Sequence, residues 1–166
     1  MSFFIIGLPR SRTAWLANFM THNGEYCHHE GMNGCRSMEE YKDKIGGDGD
    51  SNTCMMMFDL KKHFPYRKIL IIESDPKKTE RYIMENLDLD GADWVSKAIA
   101  QMDKLDGFRV HFDNINNRLR QIWEYLSDAP YDAKRGNMIK NLNVQSNIQD
   151  MDIKSAQYIA REVLQC

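Results

Sequence analysis

Short apolar runs and helix-spaced apolar positions alternate along this chain. Residues 3–6 and 68–73 are the clearest apolar runs, and each is too short for a helix. Such runs are typical of strands buried on both faces of a parallel sheet. From about Thr13, the apolar residues Trp15, Leu16, Phe19 and Met20 recur at the spacing of one helix face. The pattern therefore predicts a buried strand that leads into an amphipathic helix.

The same reading extends over the rest of the sequence. It predicts strands at residues 3–6, 25–28, 45–48, 68–73 and 109–112. It predicts helices from about Thr13, after an N-cap at Ser37, and at residues 52–63, 77–86, 92–105, 115–126, 131–142 and 153–164. Alternating strands and helices favour an α/β fold, a doubly wound parallel sheet of about five strands in a three-layer α/β/α arrangement. No repeat, low-complexity tract or linker divides the chain, so we expect one domain over residues 1–166.

Composition narrows the classes of partner. The chain has 166 residues, a net charge of −2, 42% hydrophobic residues and 28% charged residues, which are ordinary globular values. The slight negative charge gives no support for nucleic-acid binding. No apolar run approaches the roughly 20 residues that span a bilayer, so we expect no membrane segment. Four cysteines without a secretory leader favour reduced thiols and a cytoplasmic location.

The connection between the first strand and the first helix carries the strongest chemical signal. It reads Gly7, Leu8, Pro9, Arg10, Ser11, Arg12, Thr13, Ala14. A tight loop before a helix N-terminus converges backbone N–H groups and the positive end of the helix dipole on one point, which suits a phosphate or sulfate. The loop departs from the nucleotide-hydrolase pattern G-x-x-x-x-G-K-[ST], because Arg12 and Thr13 occupy the Gly and Lys positions.

The loop resembles the 5′-phosphosulfate loop of sulfotransferases, P-[KR]-S-G-T-[TS]-[WL]. It matches at Pro9, Arg10, Ser11, Thr13 and Trp15, and it has Arg12 where the family has Gly. That arginine either restricts the loop dihedrals or adds a second anion contact. Residues 109–143 also resemble short bacterial and phage sulfotransferase-like P-loop proteins, so the resemblance spans most of the chain.

The resemblance implies a P-loop NTPase/sulfotransferase-like fold. It also implies a donor, 3′-phosphoadenosine 5′-phosphosulfate or its bisphosphate product, bound through residues 7–14. Arg10 would stabilise the transferring group, and the hydroxyls of Ser11 and Thr13 would contact the 5′-phosphate. The acceptor would be a small hydroxyl or amine compound, and no metal is expected.

A second motif follows the second predicted strand and reads Cys27, His28, His29, Glu30, Gly31. Sulfuryl transfer to a hydroxyl needs a base for the acceptor proton. The segment resembles tyrosylprotein sulfotransferases, which implies Glu30 as the base, with His29 in the place of a first acid and held in reserve. Strand alternation would put His28 and Glu30 on one face and His29 on the other. Adjacent histidines without a C-x-x-C pair make a poor zinc site.

The end of the fourth predicted strand departs from the family. Sulfotransferases have R-[DN]-P-x-x-x-x-x-S there, and the Arg and Ser bind the 3′-phosphate of the donor. This chain keeps Asp75-Pro76 but has Ser74 for the Arg and Tyr82 for the Ser. Basic residues elsewhere are candidates to compensate, namely Lys77, Lys78, Arg81 and the segment Lys134, Arg135, Gly136, which resembles the R-K-G contact of cytosolic sulfotransferases.

Two other functions stay open from the sequence. A nucleotide or small-molecule kinase would use Mg-ATP, with Asp48 at the end of the third strand helping to hold the metal, although the loop lysine of such enzymes is missing. A catalytically inactive nucleotide- or anion-binding protein would retain the fold and tolerate the altered Arg12, Ser74 and Tyr82.

Overall fold

The computed structural model describes residues 2–53 and 55–141. Their strands form one five-stranded sheet in the order β2-β3-β1-β4-β5, and all neighbouring strands are parallel. The strands are β1 Phe3–Gly7, β2 Cys27–His29, β3 Gly49–Asn52, β4 Lys68–Glu73 and β5 Phe108–His111. The first strand thus lies at the centre, where its apolar residues are buried on both faces.

Seven α-helices are present in the described part of the chain. They are α1 Thr13–Met20, α2 Met38–Ile45, α3 Leu60–His63, α4 Pro76–Leu87, α5 Gly91–Met102, α6 Leu119–Leu126 and α7 Ala133–Lys140. Short 3₁₀ helices cover Met55–Met57 and Phe112–Asn117. Ser37 caps α2 as predicted, because its side chain accepts a hydrogen bond from the Glu40 N–H.

Alternate residues of β1 build two separate cores. Phe4 and Ile6 pack in one core with apolar residues of α2, α4 and α5, whereas Phe3 and Ile5 pack in the other with α1, α6 and α7. Helices therefore cover both faces of the sheet. The prediction of a three-layer, doubly wound α/β fold is confirmed.

The third strand was predicted too early in the chain. Residues 45–48 do not form a strand, because Ile45 ends α2 and packs in its core one helical turn after Tyr41. Gly46 then stops the helix with φ 48°, and the strand begins at Gly49. The sequence of β3, Gly-Asp-Ser-Asn, contains no apolar residue, so its buried position gives no hydrophobic signal.

Two predicted helices are shorter than expected. The prediction over 52–63 resolves into a 3₁₀ turn and α3, since Asp59 caps α3 through the Lys62 N–H at 3.2 Å. The prediction over 115–126 begins as a 3₁₀ helix and becomes α6 only at Leu119. The helix predicted at 153–164 lies outside the described residues. Within residues 2–53 and 55–141, no helix combines the length and apolar character needed to cross a membrane.

Candidate functional site

The loop of residues 8–12 lies at the carboxyl edge of the sheet, where ligands of doubly wound folds bind. Ser11 shapes this loop from inside. Its side chain is fully buried, and both its hydroxyl and its N–H donate to the Leu8 carbonyl, at 2.5 and 3.2 Å. A Cβ on Gly7 would lie 2.3 Å from the Ser11 Oγ, so a side chain there would displace the Ser11 hydroxyl. The Ser11 hydroxyl therefore donates to the loop backbone in this structure.

Arg12 takes the backbone conformation that glycine favours. Its φ of 64° and ψ of 25° lie in the left-handed region, which costs a residue with a side chain about 1–2 kcal/mol. Its guanidinium donates to the Asn116 Oδ1 at 3.0 Å and lies over the rings of Trp15 and Phe112. Arg12 is therefore held against the segment after β5.

Arg10 behaves differently from Arg12. It also has a positive φ, 72°, but its side chain is exposed. Its guanidinium lies 5.7 Å from the centre of the Tyr82 ring on α4, and no hydrogen bond or ion pair with the described residues occupies it. Thr79 of α4 donates to the Pro9 carbonyl at 3.1 Å, which fixes the loop beside that helix. The arrangement leaves Arg10 available to an anion.

The N-terminus of α1 has no side-chain cap. The N-cap residue Arg12 makes no capping hydrogen bond, and no acidic residue lies in the first turn. The first N–H groups of a helix, here those of Thr13 and Ala14, have no partner within the helix and carry its positive dipole end. By contrast, α2, α4, α5 and α7 are each capped by a side chain, those of Ser37, Asp75, Asp90 and Asp132.

His29 and Glu30 reach the same place from the end of β2. The His29 Nε2 lies 3.3 Å from the Thr13 Oγ1 and 3.9 Å from the Glu30 Oε1. Glu30 is 5% exposed and accepts the Thr53 N–H at 3.0 Å. Burial raises the pKa of Glu30 to about 8, an effect that the hydrogen bonds from Thr53 only partly oppose. The structure thus brings the loop, Thr13, His29 and Glu30 together.

Simple strand alternation does not describe this segment. Glu30 has φ 52° and lies beyond the end of β2, so its side chain does not follow the strand's alternation. His28 instead pairs with the Asp48 carboxylate at 3.3 Å. Asp48 precedes β3 and therefore lies at the amino edge of the sheet. The expectation that Asp48 follows the third strand and holds a metal beside the loop is wrong for this reason.

Ser74 and Tyr82 border the loop from the β4 side. The Ser74 Oγ is buried and finds no hydrogen-bond partner among the described residues. The next residue, Asp75, caps α4 through the Lys77 N–H at 3.0 Å, and Pro76 is the first residue of that helix. An unsatisfied buried hydroxyl is uncommon in proteins, and this one lies where the strand ends.

Arg135 is not brought to the loop. Its Nε donates to the Phe19 carbonyl at 2.7 Å, and its Nη2 donates to the carbonyls of Asn18 and Thr21. These carbonyls lie at the C-terminal end of α1, whose 8 residues span about 12 Å from the loop end. Arg135 therefore neutralises the negative end of the helix dipole, and the expectation that it contacts the nucleotide is corrected.

Sequence reasoning missed the polar residues of β3. Ser51 donates to the Thr13 carbonyl at 2.7 Å, and Asp50, Ser51 and Asn52 are all fully buried. Their signal was the polar run Asp-Ser-Asn-Thr, which the predictions of a strand at 45–48 and a helix from residue 52 left outside any strand. Within residues 2–53 and 55–141, no cluster of three or more His, Cys, Asp or Glu side chains is arranged to hold a metal ion.

Comparison with known proteins bears on the fold. No protein-family model and no curated protein matches the sequence. Among solved structures, the chain is similar to a sulfotransferase from Alicyclobacillus acidocaldarius, with a TM-score of 0.56 and 13% sequence identity. The similarity covers 98% of this chain and 92% of that one. At this identity the likeness shows the fold alone, and the described chain has a sulfotransferase-like α/β fold.

Proposed function

We propose that this protein transfers a sulfuryl group from a nucleotide of the 3′-phosphoadenosine 5′-phosphosulfate type to a hydroxyl or amine acceptor. One observation carries the proposal. The uncapped N-terminus of α1 is flanked by the exposed Arg10 on one side and by the His29–Glu30 pair on the other. Donors for an anion and a proton acceptor therefore surround the same point.

The residues present fit an anionic donor. Backbone N–H groups at Thr13 and Ala14 and the Arg10 guanidinium are free of side-chain partners among the described residues. The unpartnered Ser74 hydroxyl offers one more polar contact beside the loop. When bound, the nucleotide would supply the sulfuryl group and a phosphate leaving group. Arg10 and the helix N–H groups would then stabilise the negative charge that grows on that phosphate.

The His29–Glu30 pair would remove the acceptor proton. We assign the base to Glu30, because a pKa of about 8 makes its carboxylate a stronger base than an ordinary one and still available near neutral pH. His29 is 23% exposed in its side chain and lies between Thr13 and Glu30, so it can orient the acceptor or pass the proton inward. Either role places the proton on the pair as the acceptor oxygen or nitrogen bonds to sulfur and the bond between sulfur and the phosphate oxygen breaks.

Phosphoryl transfer from Mg-ATP receives less support from the same geometry. Kinases and NTPases of this fold place a loop lysine on the transferred phosphate. Thr13 holds the position of that lysine here, and the guanidinium of the neighbouring Arg12 is bound to Asn116. The residue expected to hold magnesium, Asp48, lies at the amino edge of the sheet.

Thermal unfolding with added ligands tests the proposal. We expect adenosine 3′,5′-bisphosphate to raise the Tm without metal, because a ligand at about 100 times its Kd adds roughly 2.7 kcal/mol, or several degrees for a chain of this size. Arg10→Ala should remove most of that rise, whereas the control Arg120→Ala, an exposed arginine on α6, should keep it.

The other outcomes contradict the proposal in different ways. A rise only with Mg-ATP would favour the kinase. No rise with either nucleotide would favour a protein that keeps the fold without this chemistry. A positive result leads to an acceptor screen with a radiolabelled sulfuryl donor, in which Glu30→Gln should lower the transfer rate by about 100-fold or more.

A further inference from the structure

Asp50 is a fully buried acid that the proposed chemistry does not use. It lies in the middle of β3 and is saturated with hydrogen bonds. Its Oδ1 accepts the Gly31 N–H at 3.0 Å, and its Oδ2 accepts the Asn52 side-chain amide at 3.1 Å and the Tyr41 hydroxyl. Buried carboxylates persist when donors of this kind satisfy them. The Asp50 carboxylate therefore accepts hydrogen bonds from three donors, those of Gly31, Tyr41 and Asn52.

These bonds clamp the turn that carries Glu30. The Glu30 N–H donates to the Ser51 carbonyl at 3.0 Å, and the next N–H along the chain, that of Gly31, donates to Asp50. Glu30 adopts φ 52°, which a residue with a side chain keeps only where its surroundings fix it. A Cβ on Gly31 would approach the Asp50 Oδ2 to 3.0 Å, so the turn packs directly on the carboxylate.

The two acids also interact through space. Glu30 faces Asp50 on the neighbouring strand and His29 beside it, and the Asp50 charge adds to burial in raising the pKa of Glu30. Asp50 itself faces Tyr41 of α2 and His28 of β2, and the hydrogen bonds from Tyr41, Gly31 and Asn52 oppose the rise in its pKa that burial causes.

The remaining charges near this cluster are already paired. Arg67 faces Tyr41 and Asp50, but its guanidinium donates to the carbonyls of Gly46 and Asp48, both at 2.6 Å. Asp48 pairs with His28 at the amino edge. Two like charges in a buried site are unfavourable, so the ionisation state of Asp50 affects the pKa of Glu30.

We propose that Asp50, held by Tyr41, is a positioning residue for the base: its carboxylate fixes the Glu30–Gly31 turn and controls how tightly Glu30 holds its proton. The role of Glu30 as base rests on the proposed function. The coupling between the two carboxyl groups does not, and it can be measured without any substrate.

The experiment is a pH titration by NMR of the protein labelled with ¹³C at the glutamate side-chain carboxyl carbon, in which Glu30→Gln identifies the Glu30 signal. We expect a midpoint near 8 in the unaltered protein. In Asp50→Asn, which keeps an acceptor for the Gly31 N–H, the midpoint should fall by about one pH unit or more, because the neighbouring negative charge is gone.

The matched control is Asp48→Asn, which removes the same charge two residues earlier, where the side chain is 45% exposed. It should leave the Glu30 midpoint in place. A folded Asp50→Asn protein with an unchanged midpoint overturns the proposal, and so does an equal shift in both variants.

If Asp50→Asn fails to fold, Tyr41→Phe replaces it. Asp50 then loses one donor and becomes neutral more readily, so the Glu30 midpoint should fall in the same direction, and an unchanged midpoint again overturns the proposal.

These results are independent of the nucleotide experiment. A shifted Glu30 midpoint together with no nucleotide binding would reject sulfuryl transfer and keep the coupling. Nucleotide binding together with an unshifted midpoint would support the nucleotide site and reject the coupling between Asp50 and Glu30. Once transfer is detected, the acid limb of the rate profile of Asp50→Asn should move to lower pH by the same amount as the Glu30 midpoint, a change that mere loss of stability would not produce.

Discussion

Two helices begin side by side at the carboxyl edge of the sheet, and they treat their N-terminal donors in opposite ways. The strands that precede them, β1 and β4, are paired neighbours. At α4, Asp75 accepts the Lys77 N–H and Pro76 removes one donor, so the protein satisfies its own helix end. At α1, a longer loop with two arginines at positive φ leads to an uncapped first turn.

The two helix ends differ in what their N-terminal N–H groups do: at α4 they stabilise the fold, and at α1 they are available to a ligand. A capped N-terminus contributes about 1 kcal/mol to folding and offers little to a ligand. An uncapped one gives up that stability, and here the loop also carries the strain of Arg10 and Arg12. Such costs are typical of sites that are shaped for a ligand. Thr79 joins the two ends by its bond to Pro9, so α4 serves as the rigid support of the α1 loop.

The largest expected effect on binding comes from making α1 resemble α4. Arg12→Asp places a carboxylate at the N-cap and removes the contact with Asn116. We expect binding of adenosine 3′,5′-bisphosphate to weaken by about 100-fold, because the carboxylate repels the phosphate and competes for the helix N–H groups. Isothermal titration calorimetry measures the change. Equal affinity in a folded Arg12→Asp protein would show that the α1 N-terminus does not bind the nucleotide.

The acids beside the two helices give the next effect. Asp75 is an exposed cap, whereas Glu30 is buried and its pKa is raised from 4.5 to about 8. A raised pKa means that the folded state holds the proton more tightly than the unfolded state. This contribution to stability is complete below about pH 4.5 and is lost as the pH rises towards 8.

Thermal unfolding across this pH window checks the sign. Glu30→Gln carries no titrating group at this position, so its stability relative to the unaltered protein should increase between pH 5 and pH 8.5 by about 4 kcal/mol, or roughly 8–16 °C in Tm. The control Glu124→Gln, an exposed acid on α6, should follow the unaltered protein. A constant difference between Glu30→Gln and the unaltered protein at all pH values would mean that Glu30 ionises normally.

Removing the N-cap of α4 should lower stability without changing nucleotide affinity. Asp75→Ala removes the cap, and we expect a loss of about 1 kcal/mol, or roughly 2–4 °C in Tm. Affinity for the bisphosphate should change by less than twofold, because the Asp75 side chain is bound to its own helix. Calorimetry and thermal unfolding on the same preparation separate the two quantities. A large loss of affinity would place α4, and not only α1, in the binding site.

Sequence alone predicted the part of this contrast that depends on local pattern. The apolar runs of β1 and β4 and the loop after β1 are visible in neighbouring residues, whereas the capping role of Asp75 emerged only from the structure. The resemblance named Glu30 as the base, but its burial was not predicted, because Glu30 bonds to Thr53 of the segment after β3, a strand without apolar residues. Arg135 was misplaced for a similar reason, since its partners Asn18 and Thr21 are more than 110 positions away in sequence.

The smallest expected effect concerns the backbone conformation of Arg12. Arg12→Gly introduces the residue that the sulfotransferase loop pattern has at this position and removes the left-handed strain of about 1–2 kcal/mol. It also removes the Asn116 bond and the contacts with Trp15 and Phe112. Glycine further increases the entropy of the unfolded chain. Because these terms oppose each other, we expect a Tm within about 2 °C of the unaltered protein. Affinity for the bisphosphate should stay within about threefold, because the Arg12 guanidinium is bound to Asn116 and glycine readily adopts the left-handed backbone conformation of this position. A tenfold loss of affinity would instead indicate that Arg12 contacts the nucleotide directly. In that case, calorimetry at two salt concentrations should show that affinity falls more steeply with salt in the unaltered protein than in Arg12→Gly.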